Sequence, residues 1–120
     1  MPGGIGPVDP DCAQALCRTQ RQVQLPASAD ELRIFYNLSM DRVHYFPQRN
    51  AIYYVDSKHV GVERILLRAL GAQAAQVEIR QLHLDRLGFF KSGKRLRLTR
   101  RQAETVLVAL RLQGIRVTVS

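Results

Sequence analysis

Several features that define other classes of protein are missing from this sequence. Its 120 residues include only two cysteines, Cys12 and Cys17, too few for a disulfide framework in a chain long enough to bury a core. No apolar run reaches about eighteen residues, so no transmembrane helix is expected. The first ten residues lack a charged region followed by an apolar core, which argues against a secretory signal. We therefore expect a cytoplasmic protein without a membrane partner.

Motifs for catalysis and cofactor binding are also scarce. The two cysteines have no second Cys or His pair at metal-ligand spacing, and His44, His59 and His83 are scattered along the chain. The Ser-Gly-Lys sequence at 92–94 lacks the upstream glycine and the following Ser or Thr of a phosphate-binding loop. We expect no cofactor and no metal, and a binding protein rather than an enzyme.

Acidic side chains are absent from one stretch, Arg86–Arg101. It holds seven cations, namely Arg86, Lys91, Lys94, Arg95, Arg97, Arg100 and Arg101. The net charge of the chain is +8, and it is uneven, because residues 1–56 sum to −1 and residues 57–120 to +9. Arginine, which suits bidentate phosphate contacts, outnumbers lysine fifteen to three. This concentration of positive charge predicts a polyanionic partner and points to no particular reaction.

The N-terminal half predicts an arm followed by β-structure. Residues 1–28 are rich in Gly and Pro and poor in core pattern, so we expect a flexible arm, with a single domain over 29–120. Alternation from Glu31 to Met40 favours a strand, although a helical stripe fits the same residues and leaves a helix as the alternative. Val43–Phe46 and Ala51–Val55 flank a polar turn and predict a hairpin.

The pattern becomes helical after that hairpin. Ser57 is placed to cap a helix whose apolar stripe covers Val62–Leu70 and which Gly71 ends. A strand over Gln76–Leu84 follows, and its apolar residues change phase near Gln81, which predicts a bulge or a strand leaving the sheet.

The basic stretch itself divides into three elements. Residues 92–93 predict a turn, Arg95–Leu98 alternates as a strand, and Thr99 with Gln102 forms the capping box of a second helix. The alternating Ile115–Val119 closes the chain as a strand.

The order of these elements predicts the fold. From about residue 51 it reads βαββαβ, so we expect an α+β protein with a ferredoxin-like plait, an extra N-terminal strand or hairpin, and the flexible arm. The topology resembles that of RNA-recognition plaits, although their third strand carries aromatics where this chain has Arg95 and Arg97. In a plait these arginines would lie on the open sheet face with one of Tyr53 and Tyr54.

The resulting hypothesis is a small basic protein that binds nucleic acid, either DNA or RNA. The residues expected to contact phosphates are Arg80, Lys91, Lys94, Arg95, Arg97, Arg100, Arg101 and Arg116. One alternative is a protein-interaction module that docks an acidic partner. A homodimer is also compatible, because Val108 and Leu112 give the second helix a second apolar side.

A further alternative is enzymatic. Asp56, in Tyr-Tyr-Val-Asp-Ser, closes the first plait strand. In this position it resembles the aspartate of small plait nucleases of the CRISPR spacer-integration type, which carry one per subunit of a dimer. The resemblance implies a metal shared across the twofold axis.

Overall fold

A mixed six-stranded sheet with three helices forms this α+β domain. The computed structural model describes residues 25–87 and 90–120, with the side chains of residues 25–84 and 92–120. In chain order the elements are β1 (Leu25–Pro26), α1 (Ala29–Tyr36), β2 (Arg42–Phe46), β3 (Ala51–Tyr54), α2 (Val62–Leu70), β4 (Glu78–Leu87), β5 (Phe90–Arg97), α3 (Arg100–Leu112) and β6 (Arg116–Val119). Two 3₁₀ turns, Pro47–Arg49 and Gly71–Gln76, connect them. None of the described helices is long and apolar enough to cross a membrane.

The strand order is β1-β4-β5-β3-β2-β6, which differs from that of a ferredoxin-like plait. The predicted α+β class is confirmed, and the elements from β3 onward follow the βαββαβ order along the chain. In a plait the last strand would lie beside β3. Here β2, the hairpin partner of β3, takes that place, and β6 pairs in parallel with β2 instead. The predicted hairpin is therefore confirmed, but it is inserted into the sheet rather than added outside it.

The segment predicted as a strand at Glu31–Met40 is helical at its start, so the alternative was correct. A capping box explains this, because the Glu31 amide donates to Ser28 Oγ at 3.0 Å and the Ser28 amide donates to Glu31 Oε1 at 3.1 Å. The helix buries Ile34 and Phe35 against the sheet. The alternating pattern predicted a strand, but the hydrogen bonds at the helix start, together with tertiary packing, stabilise a helix instead.

The predicted turn at residues 92–93 is also wrong, because both residues lie inside β5. Gly93 pairs with Leu82 of β4 and Ser92 pairs with His83. Phe35 of α1 lies directly over Gly93, so closely that a Cβ there would be 2.2 Å from the Phe35 ring. The glycine marks close packing of a helix on the sheet rather than a chain reversal.

The sheet is covered on both faces, and this accounts for the phase change in β4. Ile79 packs with α2 and α3 on one face, whereas Leu82 and Leu84 pack with α1 on the other. The pairing of β4 with β5 is regular from Glu78 to His83 and shifts its register between His83 and Leu87, so the irregularity lies after the position near Gln81 where a bulge was predicted. Ile79 is buried on one face, and Leu82 and Leu84 are buried on the other, which reverses the apolar phase without interrupting the strand.

Of the two helices on the opposite face, α3 begins where it was predicted, whereas α2 begins later than predicted and ends before Gly71 as expected. Thr99 Oγ1 accepts from the Gln102 amide at 3.2 Å and Gln102 Oε1 accepts from the Thr99 amide at 2.8 Å, which confirms the predicted capping box of α3. Helix α2 begins after Gly61, which has a φ of 69°, rather than at Ser57. The Ser57 hydroxyl accepts from the His59 amide within the preceding turn.

Candidate polyanion-binding surface

Arg95, a predicted phosphate contact, lies under α1 in a buried polar cluster. Its Nη1 donates to Glu31 Oε2 at 2.8 Å, and the Tyr53 hydroxyl donates to the same oxygen at 2.9 Å. Only 17% of the Arg95 side chain and 10% of the Glu31 side chain are exposed. Burial alone would raise the pKa of Glu31, but hydrogen bonds from the Ser28 amide, Tyr53 and Arg95 outweigh it and hold that pKa below its ordinary value. This arginine already has a carboxylate partner.

Lys94 is held in a similar cluster on the opposite face. Its Nζ donates to Glu63 Oε1 at 2.7 Å and lies 3.6 Å from Asp56 Oδ2. The hydroxyl of Tyr54 donates to the same Glu63 oxygen at 2.7 Å. Burial, together with the neighbouring Glu63 carboxylate, raises the pKa of Tyr54 well above its ordinary value. The turn predicted at residues 92–93 would place Lys94 at the tip of a hairpin, and this is wrong, because Lys94 is a buried member of β5.

The arginines of the sheet face lie on the side of the sheet that the alternating pattern predicted. Arg95 and Arg97 share one face with Tyr53, while Leu96 and Leu98 pack against α2 and α3. Here too the arginines have acidic neighbours. Arg80 Nε lies 2.9 Å from Glu78, Arg97 Nε lies 3.8 Å from the same side chain, and Arg116 Nη2 lies 3.1 Å from Asp41.

Two of the predicted contacts are exposed without such a partner. Arg100 and Arg101 begin α3, whose first turn contains no acid, and within the described part of the chain neither has a carboxylate within 4.0 Å. The side chain of Lys91, the last predicted contact, lies outside the described residues. Cations at a helix N-terminus oppose the helix dipole, so this pair does not stabilise the helix electrostatically.

The ion pairs divide the charged side chains of residues 25–84 and 92–120 into two groups. The pairs join six cations to six carboxylates, with Arg49–Asp30 as a further example. The cations without a carboxylate within 4.0 Å are Arg33, Arg42, Lys58, Arg64, Arg68, Arg100, Arg101 and Arg111. We refer to these eight as the unpaired cations. Glu104 is the one acid in the same ranges without an ion-pair partner.

Most of the unpaired cations belong to the layer formed by α2 and α3 rather than to the sheet face. A groove of about 460 Å³ runs between the two helices and is lined by Arg64, Arg68, Ile65, Ala69 and Leu112, among others. The two arginines are one turn apart on the exposed side of α2. Such a pair is mildly repulsive unless an anion lies between its members. The four-residue spacing of Arg64 and Arg68 is already visible in the sequence.

Asp56, the candidate catalytic aspartate, lies two residues after β3 and faces Lys94. A cleft of about 480 Å³ is lined by Asp56, Glu63, Lys58 and Arg64, among others. The ammonium group of Lys94 forms ion pairs with both Asp56 and Glu63. Among the described residues, no three His, Cys, Asp or Glu side chains are grouped so that they could hold a metal ion.

No protein-family model, curated protein or solved structure gives a significant match to this chain.

Proposed function

We propose that this protein binds nucleic acid through two groups of unpaired cations: Lys58, Arg64 and Arg68 beside α2, and Arg100 and Arg101 at the start of α3. The observation that carries the proposal is the division of charge. Carboxylates form ion pairs with the sheet-face cations. In the layer formed by α2 and α3, by contrast, Glu104 is the one described acid that has no ion-pair partner, and most of the unpaired cations belong to this layer. Exposed arginines that have no carboxylate within 4.0 Å can contact phosphates, and no internal ion pair has to be broken first.

This proposal changes which residues carry the binding. The sequence hypothesis placed the contacts on the basic hairpin, the sheet face and the start of α3, and it included Lys94 and Arg95. Each of these would have to leave a buried glutamate in order to reach a phosphate, and an unpaired buried carboxylate is costly. The proposed surface keeps Arg100 and Arg101 from the original set and adds the cations of the α2 side.

The salt dependence of binding tests the proposal. Fluorescence anisotropy with a labelled duplex and labelled single-stranded DNA and RNA would be measured between about 50 and 200 mM salt. If all five cations contact duplex phosphates, log K should change with log salt by about −4.5, which lowers affinity roughly 500-fold over this range. A flat salt dependence, or no binding to any of these nucleic acids, would overturn the proposal.

Matched variants separate contacts from general charge. Arg64→Ala/Arg68→Ala should reduce the duplex salt slope by about 1.8, because two phosphate contacts are lost. The control, Arg80→Ala/Arg116→Ala, removes the same formal charge from ion-paired positions and should leave the slope nearly unchanged. Equal slopes for the two double variants would show that net charge alone drives binding.

A second candidate function is docking of an acidic protein. It is favoured by the apolar floor of the α2–α3 groove, where Ile65, Ala69 and Leu112 lie beside Arg64 and Arg68. A nucleic acid would not need that floor, whereas an acidic amphipathic helix would contact both parts. Recovery of one defined protein, unchanged by nuclease treatment and lost in Leu112→Asp, would support this function.

A further inference from the structure

Helix α3 presents a second apolar surface on the side away from the core. Its inner stripe, formed by Ala103, Val106, Leu107 and Leu110, is buried against the sheet and α2. On the outer side Val108 is 55% exposed and Leu112 is 79% exposed. These two residues are one turn apart, so they form a continuous apolar strip on the outer side of the helix. Such a strip on an exposed helix fits a surface that another helix covers.

Two charged residues on one flank of this strip are complementary in a particular way. Glu104 is the acid without an ion-pair partner within the described side chains, and Arg111 is one of the unpaired cations. Both are exposed. Seven residues make nearly two full turns, so the two side chains start from the same flank of α3, about 10 Å apart along its axis. Because of that distance, Glu104 and Arg111 do not pair within one helix.

We propose that two copies of the chain associate by packing α3 against α3 in an antiparallel, twofold arrangement centred near Val108. A twofold axis across antiparallel helices brings the same flank of both helices together. Glu104 of each copy then lies opposite Arg111 of the other, so two ion pairs form. The apolar contact between them comes from Val108 and Leu112 of both copies.

A second copy fits this face better than a nucleic acid does. Phosphates would be repelled by Glu104, and they gain nothing from Val108 and Leu112. A second copy satisfies the acid, the cation and both apolar residues at once. The inference does not depend on the proposed nucleic-acid binding, because the cations assigned to that function lie outside the four residues used here.

The strength of the association follows from the size of the strip. Stable interfaces bury about 800 Å² per partner, whereas this contact is centred on two apolar residues and two peripheral ion pairs. We therefore expect a dissociation constant in the micromolar range, on the order of 10–100 µM. The dimer should form reversibly as concentration rises.

Sedimentation equilibrium of the full chain, in the absence of nucleic acid, tests the proposal between about 5 and 500 µM. Glu104→Arg and Arg111→Glu should each weaken self-association about tenfold or more, because each replaces two attractive pairs by two repulsive ones. An equimolar mixture of these two variants should form a heterodimer at least as readily as the unmodified chain dimerises. In the mixed dimer one copy is cationic at both positions and the other is acidic at both, so both pairs across the interface are attractive.

Two controls keep the result interpretable. Arg33→Glu makes the same charge change as Arg111→Glu, but on α1, and should leave self-association unchanged. Circular dichroism should show that all variants are folded, since the altered side chains are exposed. A chain that remains monomeric up to about 500 µM would overturn the proposal, and so would single variants that dimerise normally or a mixture that does not.

Discussion

Replacing Arg95 by Met tests whether this arginine is part of the core or of a binding surface. The substitution keeps an unbranched, flexible side chain of similar volume, although a shorter one, and removes the charge that faces Glu31 at 2.8 Å. Glu31 would remain within α1 as a buried carboxylate with 10% of its side chain exposed. If the cluster is structural, the variant should lose stability, and nucleic-acid affinity should change only slightly.

The expected loss follows from the burial of the pair. Removing one partner of a buried ion pair costs about 3–5 kcal/mol, and the partial exposure of Arg95 places the value near the lower end, at about 3 kcal/mol. For a domain of this size that loss corresponds to a fall in Tm of about 12 °C. The double variant Arg95→Met/Glu31→Gln should be more stable than the single variant, because Gln keeps the capping box and leaves no charge buried.

The same variant makes a prediction about pH. The pKa of Glu31 lies below 4.5 in the folded protein, so its contribution to stability is present above pH 4.5 and is lost as the pH falls through the folded value. Without Arg95 this pKa is higher, so the carboxylate of the variant takes up its proton first. The stability gap between the two proteins should therefore narrow as the pH is lowered from about 7 towards about 4.

Urea denaturation followed by circular dichroism at several pH values measures both effects. A loss below about 1 kcal/mol at pH 7 would contradict the structural role of Arg95. A double variant less stable than the single one, or a gap that stays constant with pH, would contradict the reasoning about Glu31.

Two further predictions concern the packing of the faces. Gly93→Ala should destabilise the fold by about 3 kcal/mol, because its methyl group would overlap the ring of Phe35. In urea denaturation, the loss caused by Gly93→Ala should be smaller in a chain that also carries Phe35→Ala. Equal losses with and without the Phe35 ring would show that the ring is not the obstacle. Tyr54, whose pKa is raised well above 10.0, favours the folded state while it keeps its proton, so stability should fall as the pH rises above 10. Tyr54→Phe should make the loss of stability above pH 10 less steep. It should also lower the free energy of unfolding by about 1–2 kcal/mol at neutral pH, since Glu63 loses a hydrogen bond. A dependence of stability on alkaline pH that is the same in the variant would contradict the role given to Tyr54.

Local signals in the sequence were sufficient for several elements. The hairpin of β2 and β3, the stripe of α2 and the capping box of α3 each depend on residues within a few positions of one another. The helix start at Ser28 carried the same kind of signal, a Ser followed three residues later by Glu. The alternating pattern after Glu31 concealed it, because a short amphipathic segment can satisfy both periods.

Long-range contacts account for most of what sequence reasoning missed. Glu31 and Arg95 are 64 residues apart, and nothing near either residue indicates the other. Gly93 looked like a turn because its actual reason, the ring of Phe35, belongs to a different part of the chain. The insertion of β2 between β3 and β6 likewise joins residues that are far apart in the chain, such as Arg42 and Arg116.

The paired residues of β3 and β5 show why a count of cations overstated the sheet face as a binding surface. Tyr53 and Tyr54 point to opposite faces, and each shares a glutamate with the cation opposite it on β5, Arg95 or Lys94. Alternation along two paired strands thus places one tyrosine and one cation on each side of the sheet.

These clusters add little to the field outside the protein. Across the described side chains the ion pairs join equal numbers of cations and carboxylates, so their charges cancel at close range. The excess positive charge therefore comes from the unpaired cations, most of which belong to the helical layer. Because a long-range field steers a charged partner before contact, the proposed nucleic-acid partner should approach α2 and α3 rather than the sheet face, where the sequence hypothesis placed part of the contacts.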